Sequence, residues 1–99
     1  MSHYVTLARG AERDLRGLGT TELARIRSAV VGLGRGAQGD VKALAGSPPW
    51  LRMRVGDYRI LFRPLTAAEI ADLGREEPTG WLVARVVHRS ELERAVRGL

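Results

Sequence analysis

"LRMRVGDYRILFR" (Leu51–Arg63) alternates apolar and polar side chains on both sides of a Gly56-Asp57 pair. Period-two alternation marks a half-buried strand. Glycine at the first position of a two-residue connection suits a type II′ hairpin turn. That turn sets the register: Val55 lies opposite Tyr58, Arg54 opposite Arg59, Met53 opposite Ile60, Arg52 opposite Leu61 and Leu51 opposite Phe62. Side chains alternate between the faces of a strand. One face therefore carries Leu51, Met53, Val55, Tyr58, Ile60 and Phe62, a continuous apolar surface for helices to cover. The other carries Arg52, Arg54, Arg59, Leu61 and Arg63.

Directly opposed like charges weaken a strand pair by roughly a few tenths of a kcal/mol. Charges of this kind can guard a sheet edge against aggregation. They can also await phosphates, which would turn the repulsion into complementarity. Composition agrees with the second reading: Lys and Arg number 16 against 11 acids, a formal charge of +5, and Lys42 is the one basic residue that is not arginine. Arginine stays ionised and forks onto phosphate, so an arginine-dominated surface favours a polyanionic partner.

The flanking chain supplies what should cover the apolar face. "HYVTL" (3–7) reads as a short strand. "GAERDLRGLG" places Ala11, Leu15 and Leu18 at helical spacing and stops at Gly19. Thr20 and Thr21 can cap a second helix, whose stripe is Leu23, Ile26, Val30 and Leu33. The glycine-rich stretch 34–40 reads as a loop, and Pro48-Pro49 bars a helix after it and delivers the chain extended. The connection 65–80 is long and acidic, with a helical turn expected at 67–73. "WLVARVVHR" (81–89) is a buried strand on which alternation puts Arg85 and Arg89 on one face, with Val87 between them. A short C-terminal helix follows Ser90, with Leu92 and Val96 on one side. The expected architecture is one α+β domain over residues 1–99: an N-terminal strand and a helical hairpin packed on an antiparallel sheet, with an inserted loop at 65–80.

"VKALAGSPPWLRMRVGDYRILFR" and "VVHRSELERAV", preceded by a helical hairpin, resemble the RelE/ParE superfamily of toxins from bacterial toxin-antitoxin pairs. The resemblance spans the chain except for 65–80, which is longer than the family's usual connection. It implies the RelE-like fold. In the RelE branch, it further implies an endoribonuclease that enters the ribosomal A site and cuts mRNA by turning the 2′-hydroxyl on the adjacent phosphate, with no metal and no small-molecule cofactor. The family's basic pair on the first hairpin strand falls on Arg52 and Arg54, its arginine after the tyrosine on Arg59, and its late basic residue on Arg89. Cations suit this chemistry because charge builds on the phosphoryl oxygens. The expected catalytic set is Arg59, Arg89, Arg54 and Glu93, and the expected RNA-binding set is Lys42, Arg52, Arg54, Arg63 and Arg85.

Many RelE-like members carry a tyrosine a few residues after the "HR"; here Glu93 stands there, and no tyrosine follows Tyr58. Glu93 could accept the 2′-hydroxyl proton, or pair with Ser90 in a capping box that fixes the helix start. His88 can exchange protons near neutral pH, but alternation points it away from Arg89, towards Leu82, Ala84 and Val86, as a core histidine. A ParE-like inhibitor of DNA gyrase and a degenerate toxin that only binds antitoxin are the alternatives. The partners implied are a cognate antitoxin, the ribosome and mRNA. With no cysteine, two distant histidines, no apolar leader and no run long enough to span a bilayer, the sequence points to a metal-free protein of the cytoplasm with no membrane partner.

Overall fold

The computed structural model describes residues 3–36 and 39–99; Ala37 and Gln38, in the expected glycine-rich loop, and Met1 and Ser2 lie outside them. The hairpin forms as its alternation dictates. Strand β3 (Leu51–Val55) and strand β4 (Tyr58–Pro64) pair in the register Leu51–Phe62, Arg52–Leu61, Met53–Ile60, Arg54–Arg59 and Val55–Tyr58. Gly56 has φ +59°, while Asp57 keeps a negative φ, the combination a type II′ turn requires.

Around the hairpin lie β1 (Tyr4–Leu7), helices α1 (Arg9–Arg16) and α2 (Thr20–Gly34), β2 (Asp40–Ala43), α3 (Ala67–Asp72), β5 (Gly80–His88), a 3₁₀ turn (Arg89–Glu91) and α4 (Leu92–Arg97). The sheet order is β1-β5-β4-β3-β2. Its pairs are antiparallel except β1 with β5, which is parallel, so the sheet is mixed. From β1 the chain crosses through α1 and α2 to β2 at the far edge and returns beside β1 only with β5. β2 is an edge strand that the sequence did not announce: "DVKA" has two small apolar residues, Val41 and Ala43, and pairs along β3, with Asp40 opposite Arg54 and Lys42 opposite Arg52. Pairing with a strong neighbour overrides its weak intrinsic propensity.

The apolar hairpin face meets the helices. Met53, Ile60, Phe62, Val83 and Val86 pack under Ala11, Ile26 and Leu33, and Trp81 meets Phe62 edge to face at 5.3 Å. Burying a side chain such as Phe62 stabilises by roughly 1.5–3 kcal/mol. On the opposite face, α4 lays Leu92, Ala95 and Val96 over Leu61 and Val87. This small second cluster covers only part of that face and leaves the turn end of β3 and β4 open.

Two expectations for β5 and its exit change. The β4–β5 register shifts between Leu61 and Phe62, which face Arg85 and Val83, so Ala84 is an extra residue. The shift lets Val83 and Val86, three apart, both reach the helix side. Beyond Val83, β1 ends and leaves the edge of β5 bare. Asp14 of α1 fills that gap, accepting from the Val86 N–H at 2.8 Å and from Arg85 Nε and Nη2 at 2.8 and 3.1 Å. The Ser90–Glu93 capping box does not form: Arg89–Glu91 make a 3₁₀ turn capped by the His88 side chain, and α4 begins after Glu91. The expected helical turn in 65–80 is α3, whose capping box is Thr66 with Glu69. No helix among the described residues is long and apolar enough to cross a membrane.

Candidate nucleic-acid interface

The face of β3 and β4 turned away from α1 and α2 carries Arg52, Arg54 and Arg59, and the end of β5 adds Arg89 beside them. Arg59 is anchored by its own turn: Nη1 donates to Gly56 O and Tyr58 O, both at 2.9 Å. Its guanidinium pKa is held below the ordinary value, first by burial and then by repulsion from Arg54, Arg52 and Arg89, with Asp40 opposing. Arginine keeps its charge despite such shifts, so the four groups form a standing positive potential. Arg89 is fixed through its backbone, whose N–H donates to Asp57 O at 2.7 Å. Arg59, His88, Arg89, Ser90 and Leu92 line an open cleft of about 460 Å³.

Carboxylate partners divide the arginines into two groups. Arg63 is held bidentately by Glu69 at 2.8 and 2.9 Å and lies over the Trp50 ring at 5.7 Å. This pairing raises the Arg63 pKa and pulls the Glu69 carboxyl from 4.5 to about 2. Arg85 is held just as tightly by Asp14, which raises its pKa too. By contrast, Arg89 reaches Asp57 only at 3.5 Å, with both side chains largely in water, and Arg52 reaches Asp40 only at 3.8 Å. An exposed pair such as Arg89–Asp57 contributes little. Arg52 Nη1 is buried without any hydrogen-bond partner, and a buried donor left unmade is costly.

Of the residues singled out in the sequence, Arg52, Arg54, Arg59 and Arg89 are therefore brought together. Lys42 joins them at the sheet margin, exposed on β2 opposite Arg52. Arg63 is four residues along β4 from Arg59, about 13 Å away, and serves the α3 connection. Arg85 turns around the sheet edge to α1 instead of standing beside Arg89. Glu93 is exposed on α4 and does not line the cleft. His88 is not enclosed in the core: it is half-buried, stands edge-on to Tyr58 at 5.7 Å and lines the cleft. Asp40, which tempers the cluster, went unnoticed because its strand did. Ser90 was noticed only as a helix start.

Cationic donors converging on one face can grip phosphate oxygens and stabilise added charge on them.

No protein-family model and no curated protein sequence matches the chain. Solved structures do. A chain of the toxin-antitoxin complex RelBE2 from Mycobacterium tuberculosis aligns with a TM-score of 0.69 and 26% identity, over 90% of this chain and 100% of that one. Chains of the RelB-RelE complex from Methanococcus jannaschii (TM-score 0.66, 19% identity, 90% and 95% covered) and the RelE-RelB complex from Pyrococcus horikoshii (0.64, 18%, 90% and 97%) share the fold. With its five-stranded sheet, helical hairpin and short C-terminal helix, this chain has the RelE-like fold of chains found in RelBE toxin-antitoxin complexes.

Proposed function

We propose that the chain is the toxin of a toxin-antitoxin pair, acting in the cytoplasm as an endoribonuclease that cuts mRNA in the ribosomal A site and is silenced by a cognate antitoxin. The observation that carries this reading is the division among the arginines. Those that hold the fold have tight bidentate carboxylates, whereas Arg52 and Arg89 have loose ones, and Arg54 and Arg59 have none among the described residues. On a RelE-like fold, such a face suits the sugar-phosphate backbone of a single strand.

In the reaction, the 2′-hydroxyl oxygen attacks the adjacent phosphorus and the bond to the 5′-oxygen breaks. A 2′,3′-cyclic phosphate and a 5′-hydroxyl result; the proton lost at the 2′-oxygen is balanced by one gained at the 5′-oxygen. Arg59 and Arg89 stand where the phosphoryl oxygens gain charge, and Arg52, Arg54 and Lys42 hold flanking phosphates. An acidic antitoxin segment laid over the same face would block it by charge complementarity.

The absence of any tyrosine after Tyr58 favours a second reading, a gyrase inhibitor without nuclease chemistry. Induction without the antitoxin, with transcript mapping and a DNA-damage reporter followed together, separates the two. Codon-phased cuts in translated messages are expected; a damage response with intact messages selects the gyrase reading and overturns the first.

A further inference from the structure

His88 occupies the joint between β5 and the turn that presents Arg89. Its Nδ1 accepts from the Ser90 N–H at 3.1 Å and lies 2.9 Å from Ser90 Oγ. A ring nitrogen that accepts a backbone N–H must offer its lone pair, so the proton of the neutral ring is on Nε2. Tyr58, edge-on at 86° between ring planes, fixes the orientation of the imidazole. Arg89 is thus bracketed: its own amide is tied to Asp57 O, and the next amide is tied to His88.

We propose that neutral His88 is the positioning residue for Arg89, and that protonation of the ring releases the turn. The inference rests on the reading of Arg89 as a phosphate ligand given above. An imidazolium carries protons on both nitrogens, so Nδ1 can then donate to Ser90 Oγ but no longer accept from Ser90 N–H. The turn loses its cap, and the backbone that presents Arg89 at the cleft loosens. The charged and titratable groups around the ring are Tyr58 and Arg59 on β4, Arg89 and Glu91 in the turn with Asp57 behind them, Arg85 on β5, and Arg13 and Asp14 on α1. Asp14 is already committed to Arg85. Neutral His88 keeps Arg89 effective, and protonation of the ring disarms it without touching the arginines.

The test compares the full-length wild type with His88→Asn and His88→Ala, measuring cleavage on programmed ribosomes from neutral to acidic pH and, separately, hydrogen-exchange protection of the Ser90 amide in the purified protein. An asparagine oxygen can replace Nδ1 as the cap. H88N should therefore cut within about twofold of wild type at neutral pH and lose the acid-side fall, while H88A cuts about fivefold or more slowly at every pH. Protection at Ser90 should collapse with acid in wild type and persist in H88N. H88A cutting like wild type, H88N keeping the acid-side fall, or Ser90 protection indifferent to pH would each overturn the proposal. Absence of cleavage by wild type at every pH would instead sink the nuclease reading, leaving the Ser90 amide to decide the role of His88.

Discussion

Arg59 and Arg89 resemble their neighbours in charge and differ in restraint: the Arg59 guanidinium is tied to backbone carbonyls, the Arg89 backbone is tied to Asp57 O, and no carboxylate saturates either. Removing one preorganised donor to a charged transition state costs on the order of 10²–10³ in rate, and Arg59→Ala and Arg89→Ala should each lose that much cleavage while melting as wild type does. Glu93→Gln should cut within about twofold of wild type, because the residue projects into water away from the cleft; a hundredfold loss in that variant would restore Glu93 as the proton acceptor. Lys42→Ala and Arg54→Ala should weaken RNA binding across sequences. Each should also flatten the slope of log affinity against log salt by roughly 0.7 for every phosphate no longer neutralised. Arg52, Arg54 and Arg59 were legible as a cluster in the sequence because strand alternation and the turn at Gly56 determine which hairpin side chains share a face. The ion pairs of Arg63 and Arg85 were not legible for a physical reason: their carboxylates, Glu69 and Asp14, lie on α3 and α1, and no periodicity along β4 or β5 reveals a partner on another element.

At the scale of elements, the hairpin register follows from the sequence pair by pair, since a slip of one residue would turn Phe62 and Ile60 to solvent. β2 carries little sequence signal because four residues with two small apolar side chains, Val41 and Ala43, look like loop until β3 supplies the ladder. The β4–β5 irregularity escaped because unbroken alternation is the default expectation for a strand. Phe62→Ala should cost about 3–5 kcal/mol in urea denaturation, as the ring has no exposed surface to lose gently. Asp14→Ala should cost about 1–3 kcal/mol by stranding the Val86 N–H at the sheet edge, with its thermal shift the simplest measurement. The Arg63–Glu69 lock gives the α3 connection a pH signature. The Glu69 carboxyl is lowered from 4.5 to about 2, so the unfolded chain takes up its proton first as pH falls. The stabilisation is complete above about pH 4.5 and disappears towards pH 2. The gap between the urea midpoints of wild type and Glu69→Gln should close over that window; a gap that stays constant would show that the lock contributes nothing.

For the whole molecule, the two faces of one sheet divide the work. One is buried under α1 and α2 and holds the fold. The other is partly covered by α4 and gathers charge that weakens the sheet, a cost that makes sense where a polyanion relieves it. The fold class was readable from the order of elements, and the RelE-like resemblance from the hairpin and the "HR" at the end of β5. The 3₁₀ turn that carries Arg89 was not, since strand alternation cannot foresee a turn capped by the His88 side chain. A basic face serving both message and antitoxin should bind an acidic antitoxin segment more weakly as salt rises, which titration of the complex can follow. The most direct measurement is single-turnover cleavage of a defined message on programmed ribosomes by wild type, R59A and R89A at equal folded concentration. Wild type should give codon-phased cuts and both variants a loss on the order of 10²–10³. Undiminished cutting by both would contradict the role given to Arg59 and Arg89.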